Sequence, residues 1–281
     1  MTPTEILQHL DQATLWPADT DTDTDARPGT ATHTQTPAAL ADDVAGAYQS
    51  ALQVRQLRMD RGDVPRGYKI GFTNRSIWPR YNVLAPIWGT VWNTTLEFCE
   101  GDAAIPLSDR CQPRIEPEAV FGMRATPPAN ATLEALYDCI EWVAPGFEIV
   151  QSHAANWKFT ASMAVRDGGL HSHLLVGRRV AVNTIAPSAQ ALNLTLASCQ
   201  VALHKDGALA ERGQGLNVLD GPLLALSYFL GELRQCKAAP DLKPGDVITT
   251  GTWTDAWPVQ AGETWRADFQ APLSPLSVKF T

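Results

Sequence analysis

The sequence predicts a mixed α/β (α+β) fold, rich in strands and flanked by helices. The 281 residues are 44% hydrophobic and 19% charged, which is enough apolar material for a substantial core. Apolar residues at three- and four-residue spacing predict helices at 3–15, 38–60, 131–142 and 220–235. Short runs rich in Val, Ile, Thr, Trp and Phe, separated by Gly, Pro, Asn and Asp, predict strands at 68–73, 87–98, 114–123, 174–185, 193–204, 246–254, 263–269 and 275–280.

The N-terminal region, residues 1–66, is predicted to be helical with one interruption. Residues 17–36 contain alternating Asp and Thr followed by Ala-Arg-Pro-Gly-Thr, a composition poor in helix formers and in apolar side chains. This segment is therefore predicted to be a flexible loop that the fold does not require. Residues 67–281 are predicted to form the strand-rich domain that carries the functional residues.

Charge and composition exclude several classes of protein. The net charge is -8, and most of the acidic excess lies in residues 1–45, so the remaining chain is nearly balanced and has no basic stripe for nucleic acid. No apolar run approaches the roughly 18 residues that a membrane span needs, and the N-terminus lacks the features of a signal peptide. Five scattered cysteines without a Cys-x-x-Cys pair indicate a reduced, cytoplasmic setting.

Three glutamates lie in apolar, strand-like segments, where ionisable groups are costly unless they are paired or bind a metal. Glu116 and Glu118 are two residues apart, so an extended strand places both carboxylates on one face. Glu148 lies in the otherwise uncharged stretch 143–150. Three carboxylates are the oxygen ligands that suit Mg²⁺ or Mn²⁺, whereas zinc favours His or Cys. A solvated strand face gives the same Glu-x-Glu pattern, and that interpretation stays open at this point.

Two lysines are further candidates. Lys69 lies in a strand-like segment between Gly67 and Gly71, where glycines allow close approach of another backbone. Lys158 lies between Trp157 and Phe159. An ordinary surface lysine is the alternative for each.

Four motifs in order resemble the 2-keto-4-pentenoate hydratase and 4-oxalocrotonate decarboxylase family, a branch of the fumarylacetoacetate hydrolase superfamily. They lie at residues 67–71, 114–118, 144–150 and 242–251, and the likeness runs from about residue 40 to the C-terminus. The resemblance implies a mixed β-roll like the fumarylacetoacetate hydrolase C-terminal domain, with flanking helices. Residues 67–281 would then be a metal-binding catalytic domain.

The resemblance also implies a metal site. Glu116, Glu118 and Glu148 match the family's ligands for Mg²⁺ (or Mn²⁺), which chelates the carboxylate and 2-oxo oxygens of a 2-oxo acid. Lys69 matches the family's active-site lysine. Lys158 matches, more loosely, a lysine that follows the third ligand.

The loop Thr250-Gly251-Thr252 resembles the family loop that offers hydrogen-bond donors to the substrate. The tryptophans cluster around the motifs, and core filling is the alternative role for most of them. Trp88 is predicted to contact the substrate, which would then be bulkier or more aromatic than a five-carbon dienoate.

The chain departs from the better-known hydratases in two places. Residues 89–93 stand where those enzymes carry acidic side chains, and residues 162–169 replace an Asp/Asn-rich stretch. The proton-transfer groups therefore differ, and His171 and Asp167 are predicted to take this role, with His153 as a weaker candidate.

The resemblance implies a metal-dependent lyase that adds water to a 2-hydroxydienoate or 2-oxo-alkenoate acid, in the catabolism of aromatic or related ring compounds. Three alternatives remain: decarboxylation of a 2-oxo acid, hydrolysis of a carbon-carbon bond of the fumarylacetoacetate hydrolase type, and a non-catalytic assembly subunit. The implied partners are the 2-oxo acid, further copies of the chain in a homo-oligomer, and a related enzyme of the same pathway.

Overall fold

The computed structural model describes residues 1–17 and 43–281. Within these residues the helices are α1 (Pro3–Gln12), α2 (Val44–Asp60), α3 (Trp78–Tyr81), α4 (Leu133–Asp138), α5 (Ala161–Arg166), α6 (Val182–Ile185), α7 (Ala189–Ser198) and α8 (Pro222–Gln235). The strands are β1 (Pro65–Gly71), β2 (Ile87–Trp92), β3 (Leu96–Phe98), β4 (Asp102–Ile105), β5 (Arg114–Met123), β6 (Ile140–Val150), β7 (His171–Val176), β8 (Val180–Ala181), β9 (Gln200–Lys205), β10 (Ala208–Gln214), β11 (Val247–Thr249), β12 (Trp257–Pro258), β13 (Thr264–Phe269) and β14 (Leu276–Phe280). Among the helices described, none has the length and apolar character to cross a membrane.

Two mixed sheets form the body of the described chain. The larger has the strand order β2-β1-β11-β5-β6-β7-β3, with β12 beside β5 and β8 beside β6. The smaller has the order β10-β9-β13-β14-β4. The pairs β1–β11, β3–β7 and β4–β14 are parallel, whereas the other pairs are antiparallel. This topology confirms the predicted mixed, strand-rich fold with flanking helices.

Strands β5 and β6 are the longest and lie in the middle of the larger sheet. They pair antiparallel, with Glu116 opposite Glu148 and Glu118 opposite Gly146. Most of their residues are buried on both faces, which explains their nearly continuous apolar sequence. The prediction of a strand at 114–123 is confirmed, and the pairing brings the three glutamates to one place in the sheet.

The first two helices begin at well-defined caps. The Thr2 side chain accepts a hydrogen bond from the Glu5 backbone, and Glu5 accepts one from the Thr2 backbone, which forms a capping box. Asp43 caps α2 by accepting from the Gly46 N–H. The first residues of the helix predicted at 38–60, and the loop predicted at 17–36 apart from residue 17, lie outside the described residues. The division of the chain at residues 66/67 stays a prediction.

The strand predicted at 193–204 is wrong in its first half, which belongs to helix α7. The Ser188 side chain caps this helix by accepting from the Ala191 N–H, and Ala189, Leu192 and Leu196 form its buried face at helical spacing. The strand predicted at 174–185 is interrupted after Val176, resumes as the two-residue strand β8 and is followed by a short helix, α6. Both errors come from apolar runs in which helical and extended spacing look alike.

Candidate metal centre and active site

Glu116, Glu118 and Glu148 converge in the middle of the larger sheet. One carboxylate oxygen from each lies within 4.8 Å of those of the other two. Glu118 and Glu148 are fully buried, and Glu116 is partly buried. The strand spacing of two residues and the pairing of Glu116 with Glu148 produce this convergence, so the solvated-face interpretation of the Glu-x-Glu pattern is wrong.

Two basic side chains hold Glu148 from different sides. The Lys69 Nζ lies 3.3 Å from the Glu148 Oε2. The His171 Nδ1 lies 2.9 Å from the Glu148 Oε1, and its Nε2 lies 2.8 Å from the Thr95 hydroxyl. Lys69 is only 3% exposed, so it is a buried partner of the carboxylates rather than a surface lysine.

The loop after β11 fixes Glu118. The Gly251 backbone N–H donates to the Glu118 Oε2 at 2.7 Å. Gly251 has a φ of +97°, and a Cβ at this position would lie 1.9 Å from the Thr73 hydroxyl oxygen. Glycine is therefore required by both backbone conformation and space. The other Glu118 oxygen, Oε1, is buried and has no hydrogen-bond partner among the described residues.

Burial and mutual repulsion act on the charges of this cluster. Burial, with the neighbouring Glu148 charge adding to it, raises the pKa of Glu116 to about 7 and the pKa of Glu118 well above its usual range. Burial also acts on Glu148, but the Lys69 ammonium and the His171 hydrogen bond hold its pKa below the ordinary value. Burial opposes the charge on Lys69 too, yet the three carboxylates raise the pKa of its ammonium.

The residues present fit a divalent cation. The Lys69 ammonium balances one of the three carboxylate charges, and a divalent cation would balance the other two. The unpartnered Glu118 Oε1 is a buried acceptor that a cation would satisfy. Three carboxylate oxygens without His or Cys suit Mg²⁺ or Mn²⁺ better than zinc.

A cavity of about 310 Å³ opens beside the cluster and is lined by Lys69, Glu116 and Gly251. Its wall contains a run of stacked or tilted aromatic rings. Successive ring centroids are 4.6 Å apart for Phe72 and Tyr81, 5.5 Å for Tyr81 and Phe159, and 6.0 Å for Phe159 and Trp157. This first cavity can hold a flat, unsaturated molecule against the carboxylates.

Three of the sequence-predicted residues lie in the loop beside this cavity. Thr252 lines the cavity, and its hydroxyl donates to the Thr254 carbonyl. The buried Thr250 hydroxyl donates to the Ala119 carbonyl and so holds the loop against β5. Gly251 acts through the Glu118 contact described above.

The structure places the other predicted residues elsewhere. Lys158 is exposed and does not line the first cavity. His171, Asp167 and Trp88 line a second cavity, of about 250 Å³, instead. The Asp167 carboxylate is hydrogen-bonded to the buried His153, with 2.6 Å between the Asp167 Oδ1 and the His153 Nδ1. The roles assigned to these residues stay predictions.

Arg114 and Glu211 also line the first cavity, and neither was predicted from the sequence to have a role. The Arg114 guanidinium lies 4.2 Å from the centroid of the Trp157 ring and donates to the Ala256 carbonyl. The Glu211 Oε2 accepts from the Asp255 N–H and the Trp257 indole N–H. Arg114 stands beside Glu116 in a motif that could have drawn attention to it, whereas nothing in the sequence around Glu211 distinguishes it from a solvated strand residue.

Several known proteins are similar to this chain in sequence or in structure. The chain is 27% identical over 240 residues to 2-hydroxyhexa-2,4-dienoate hydratase of Comamonas testosteroni, which covers 85% of this chain and 86% of that protein. It is 29% identical over 239 residues to a 4-oxalocrotonate decarboxylase of a Pseudomonas species, with 84% and 88% covered. The solved 4-oxalocrotonate decarboxylase of Pseudomonas putida G7, in complex with magnesium and adipate, has a TM-score of 0.76 at 24% identity over 85% of this chain and 86% of that chain. No protein-family model matches the sequence.

The mixed sheets with flanking helices have the fold of fumarylacetoacetate hydrolase-like proteins. In sequence the chain is similar to hydratases and decarboxylases of the 2-keto-4-pentenoate hydratase/4-oxalocrotonate decarboxylase family. The predicted resemblance is confirmed. The similar proteins include both hydratases and decarboxylases, so the comparison does not distinguish between these two reactions.

Proposed function

We propose that this protein is a divalent-metal-dependent hydratase that adds water to a 2-hydroxydienoate or 2-oxo-alkenoate acid, in the catabolism of aromatic or related ring compounds. The observation that carries the proposal is the placement of the Lys69 ammonium beside the three clustered carboxylates at the wall of the first cavity. The names of the similar proteins, a dienoate hydratase and an oxalocrotonate decarboxylase, support a 2-oxo or dienol acid as substrate.

Glu116, Glu118 and Glu148 would hold Mg²⁺ or Mn²⁺, which supplies electrophilic polarisation of the substrate's carboxylate and C2 oxygens. Lys69 contributes a second positive charge, because the surrounding carboxylates raise the pKa of its ammonium. Loss of the C2 hydroxyl proton gives a dienolate with negative charge on the C2 oxygen, and protonation at the far end then gives the ketone; negative charge returns to this oxygen when water adds at C4, until C3 is protonated. A Lys69 ammonium that donates to this oxygen stabilises that charge.

Ketonisation leaves a double bond conjugated to the C2 carbonyl, and water adds to this bond at C4. Two carboxylates of the first cavity, Glu211 and Asp255, lie outside the metal cluster, and Glu211 is the more buried of the two. Both of its hydrogen bonds use Oε2, which leaves Oε1 to orient the water and accept its proton. We assign Glu211 this role in preference to His171 and Asp167, because those two residues line the second cavity.

A specific observation favours decarboxylation as a second candidate function. The Arg114 guanidinium lines the first cavity and uses one donor, Nη1, for the Ala256 carbonyl, which leaves other donors for an anion. A substrate with a second carboxylate at its far end would fit these donors. Loss of that carboxylate would use the same stabilisation of negative charge at C2.

The test uses the chain with Mg²⁺ and two substrates, 2-hydroxypenta-2,4-dienoate and its analogue with a second carboxylate. The proposal predicts loss of the dienol absorbance, formation of a 4-hydroxy-2-oxo acid and no release of carbon dioxide. Carbon dioxide as the main product would establish the decarboxylase instead, and two carbon fragments would establish a hydrolase. Metal binding without turnover of either acid would favour a non-catalytic assembly subunit.

The family also supports assembly of this chain into a homo-oligomer, and association with a related pathway enzyme. Light scattering of the purified chain, alone and mixed with that enzyme, measures both. A monomer that stays monomeric at all concentrations would contradict the first part of this proposal.

A further inference from the structure

The second cavity lies on the other side of the carboxylate cluster. Lys69, on one side of Glu148, lines the first cavity, and His171, on the other side, lines the second. Among the described residues, no residue lines both cavities. A close backbone contact helps to separate them, since a Cβ on Gly89 of β2 would lie 1.8 Å from the Gly168 carbonyl oxygen.

The second cavity contains a positive charge that the described residues do not balance. The Arg110 Nε donates to the Pro106 carbonyl at 3.0 Å, and its Nη1 donates to the Ser172 hydroxyl at 2.8 Å. No carboxylate of residues 1–17 or 43–281 forms an ion pair with it. Its chain neighbour Asp109 also lines the cavity, but that side chain is exposed. A guanidinium held in a cavity without a counter-ion favours binding of an anion.

Ser172 lies beside Arg110 and adds a hydroxyl group to the proposed site. The residue is 5% exposed, lines the cavity and accepts the Arg110 hydrogen bond through its hydroxyl oxygen. Its hydroxyl proton has no acceptor among the described residues and is available to a ligand. A guanidinium and a hydroxyl side by side match the two oxygens of one carboxylate.

The other acidic residues of this cavity are already engaged. Asp167 accepts from His153, and Asp11 forms an ion pair with Arg61 at 2.6 Å. A second arginine, Arg58, is balanced by Asp63 at 2.8 Å. Arg55, Arg110 and Arg166 therefore line the cavity without a carboxylate partner in the described chain. Of these three, Arg110 is held by hydrogen bonds to two oxygen acceptors, whereas Arg55 donates to the Met59 sulfur.

Two buried tryptophans provide the apolar part of the cavity. Trp88 and Trp92 are each 4% exposed and line it. The indole Nε1 of Trp88 is buried and has no hydrogen-bond partner in the described residues. Side chains of α2 and α5, including Leu52 and Val165, complete an apolar wall. The volume, about 250 Å³, is below the range of about 300–1,000 Å³ typical of drug-sized ligands, so the occupant is small.

We propose that the second cavity is a binding site for a small carboxylate with a flat, apolar body. Arg110 and Ser172 bind the carboxylate, and Trp88 and Trp92 contact the body. The site is separate from the metal centre, and the inference does not depend on which reaction the enzyme performs.

Benzoate is the probe, and calorimetric titration of the Mg²⁺-loaded chain is the measurement. The proposal predicts one benzoate per chain, with binding at least tenfold weaker for the neutral analogue benzamide and for acetate, which lacks the apolar body. Arg110→Gln should weaken benzoate binding at least tenfold. Arg110→Lys, which keeps the charge, should retain part of the affinity, and circular dichroism confirms that both variants are folded.

Arg114→Gln is the matched variant in the first cavity, and Arg212→Gln, an exposed arginine on β10, controls for general loss of charge. Neither should change benzoate binding more than about twofold. The proposal is overturned if benzoate does not bind at millimolar concentration, if Arg110→Gln leaves binding unchanged, or if Arg114→Gln removes it. The last result would show that benzoate occupies the first cavity.

Discussion

The two cavities beside Glu148 differ in the sign of the charge that the protein leaves unbalanced. The first adjoins a cluster of three carboxylates and one lysine, whereas the second contains Arg110, an arginine without a carboxylate partner in the described chain. Both have aromatic walls and similar volumes, so shape alone does not distinguish them. The comparison shows that the function of a cavity is best inferred from the charged groups that burial leaves without compensation.

The same comparison explains why nearby ionisable residues have different roles. Lys69 and His171 both contact Glu148, but only Lys69 lines the cavity with the metal cluster. His171 is held between Glu148 and Thr95, and burial lowers its pKa despite the carboxylate partner. We therefore expect Lys69 to contact the substrate and His171 to position Glu148.

The largest effect is expected for Lys69→Met, which keeps much of the apolar stem and removes the charge. Because the ammonium stabilises charge that develops only during the reaction, kcat should fall by about two orders of magnitude or more, with a smaller change in Mg²⁺ affinity. Steady-state kinetics and metal titration measure the two quantities. Lys279→Met, at an exposed lysine of β14, is the matched control and should keep the wild-type kcat. Full activity of Lys69→Met would show that the first cavity needs no cation beyond the metal.

A second prediction concerns the backbone that holds the first cavity together. Gly251→Ala forces an unfavourable φ on alanine and places its Cβ against the Thr73 hydroxyl. The free energy of unfolding should fall by about 2 kcal/mol, and Mg²⁺ should bind more weakly because Glu118 loses its fixed donor. Urea denaturation and metal titration measure these changes. Gly262→Ala is the control, since it has a φ of +92° and nothing within 4 Å of the added Cβ. Equal losses in both variants would show that the contact with Thr73 is unimportant.

The smallest expected effect concerns substrate choice in the first cavity. Arg114→Met removes the donors that suit a distal carboxylate, so KM for the dicarboxylate substrate should rise by about tenfold. KM for the substrate with one carboxylate should change by less than about threefold. Kinetics with the two substrates in parallel measure the difference. Equal changes for both would show that Arg114 supports Glu116 rather than selecting the substrate.

The sequence predicted the parts of the site that depend on local spacing. Glu116 and Glu118 share one face because β5 is a strand of the predicted length, 114–123. Glu148 was predicted from a single charge in an apolar stretch, and the antiparallel pairing of β5 and β6 places it opposite Glu116. In each case the signal in the sequence was an ionisable side chain within an apolar, strand-like segment.

The parts of the two cavities that were not predicted from the sequence depend on contacts between distant parts of the chain. The aromatic wall combines residue 72 with residues 81 and 159, and no local pattern predicts that these rings meet. Trp88 lines the second cavity because β2 runs beside β1, which separates it from the metal cluster. Asp167 is bound by His153, a pairing that the sequence alone does not reveal.

Calorimetric titration of the metal-free chain with Mg²⁺ tests the central claim, that the carboxylates of Glu116, Glu118 and Glu148 form a divalent cation site. The account predicts one Mg²⁺ per wild-type chain, together with a rise in thermal stability. Glu118→Gln should lose both effects while remaining folded, since glutamine keeps the size of the side chain and can still accept from the Gly251 N–H. No Mg²⁺ or Mn²⁺ binding at millimolar concentration to the wild type, or unchanged binding to Glu118→Gln, would contradict the account.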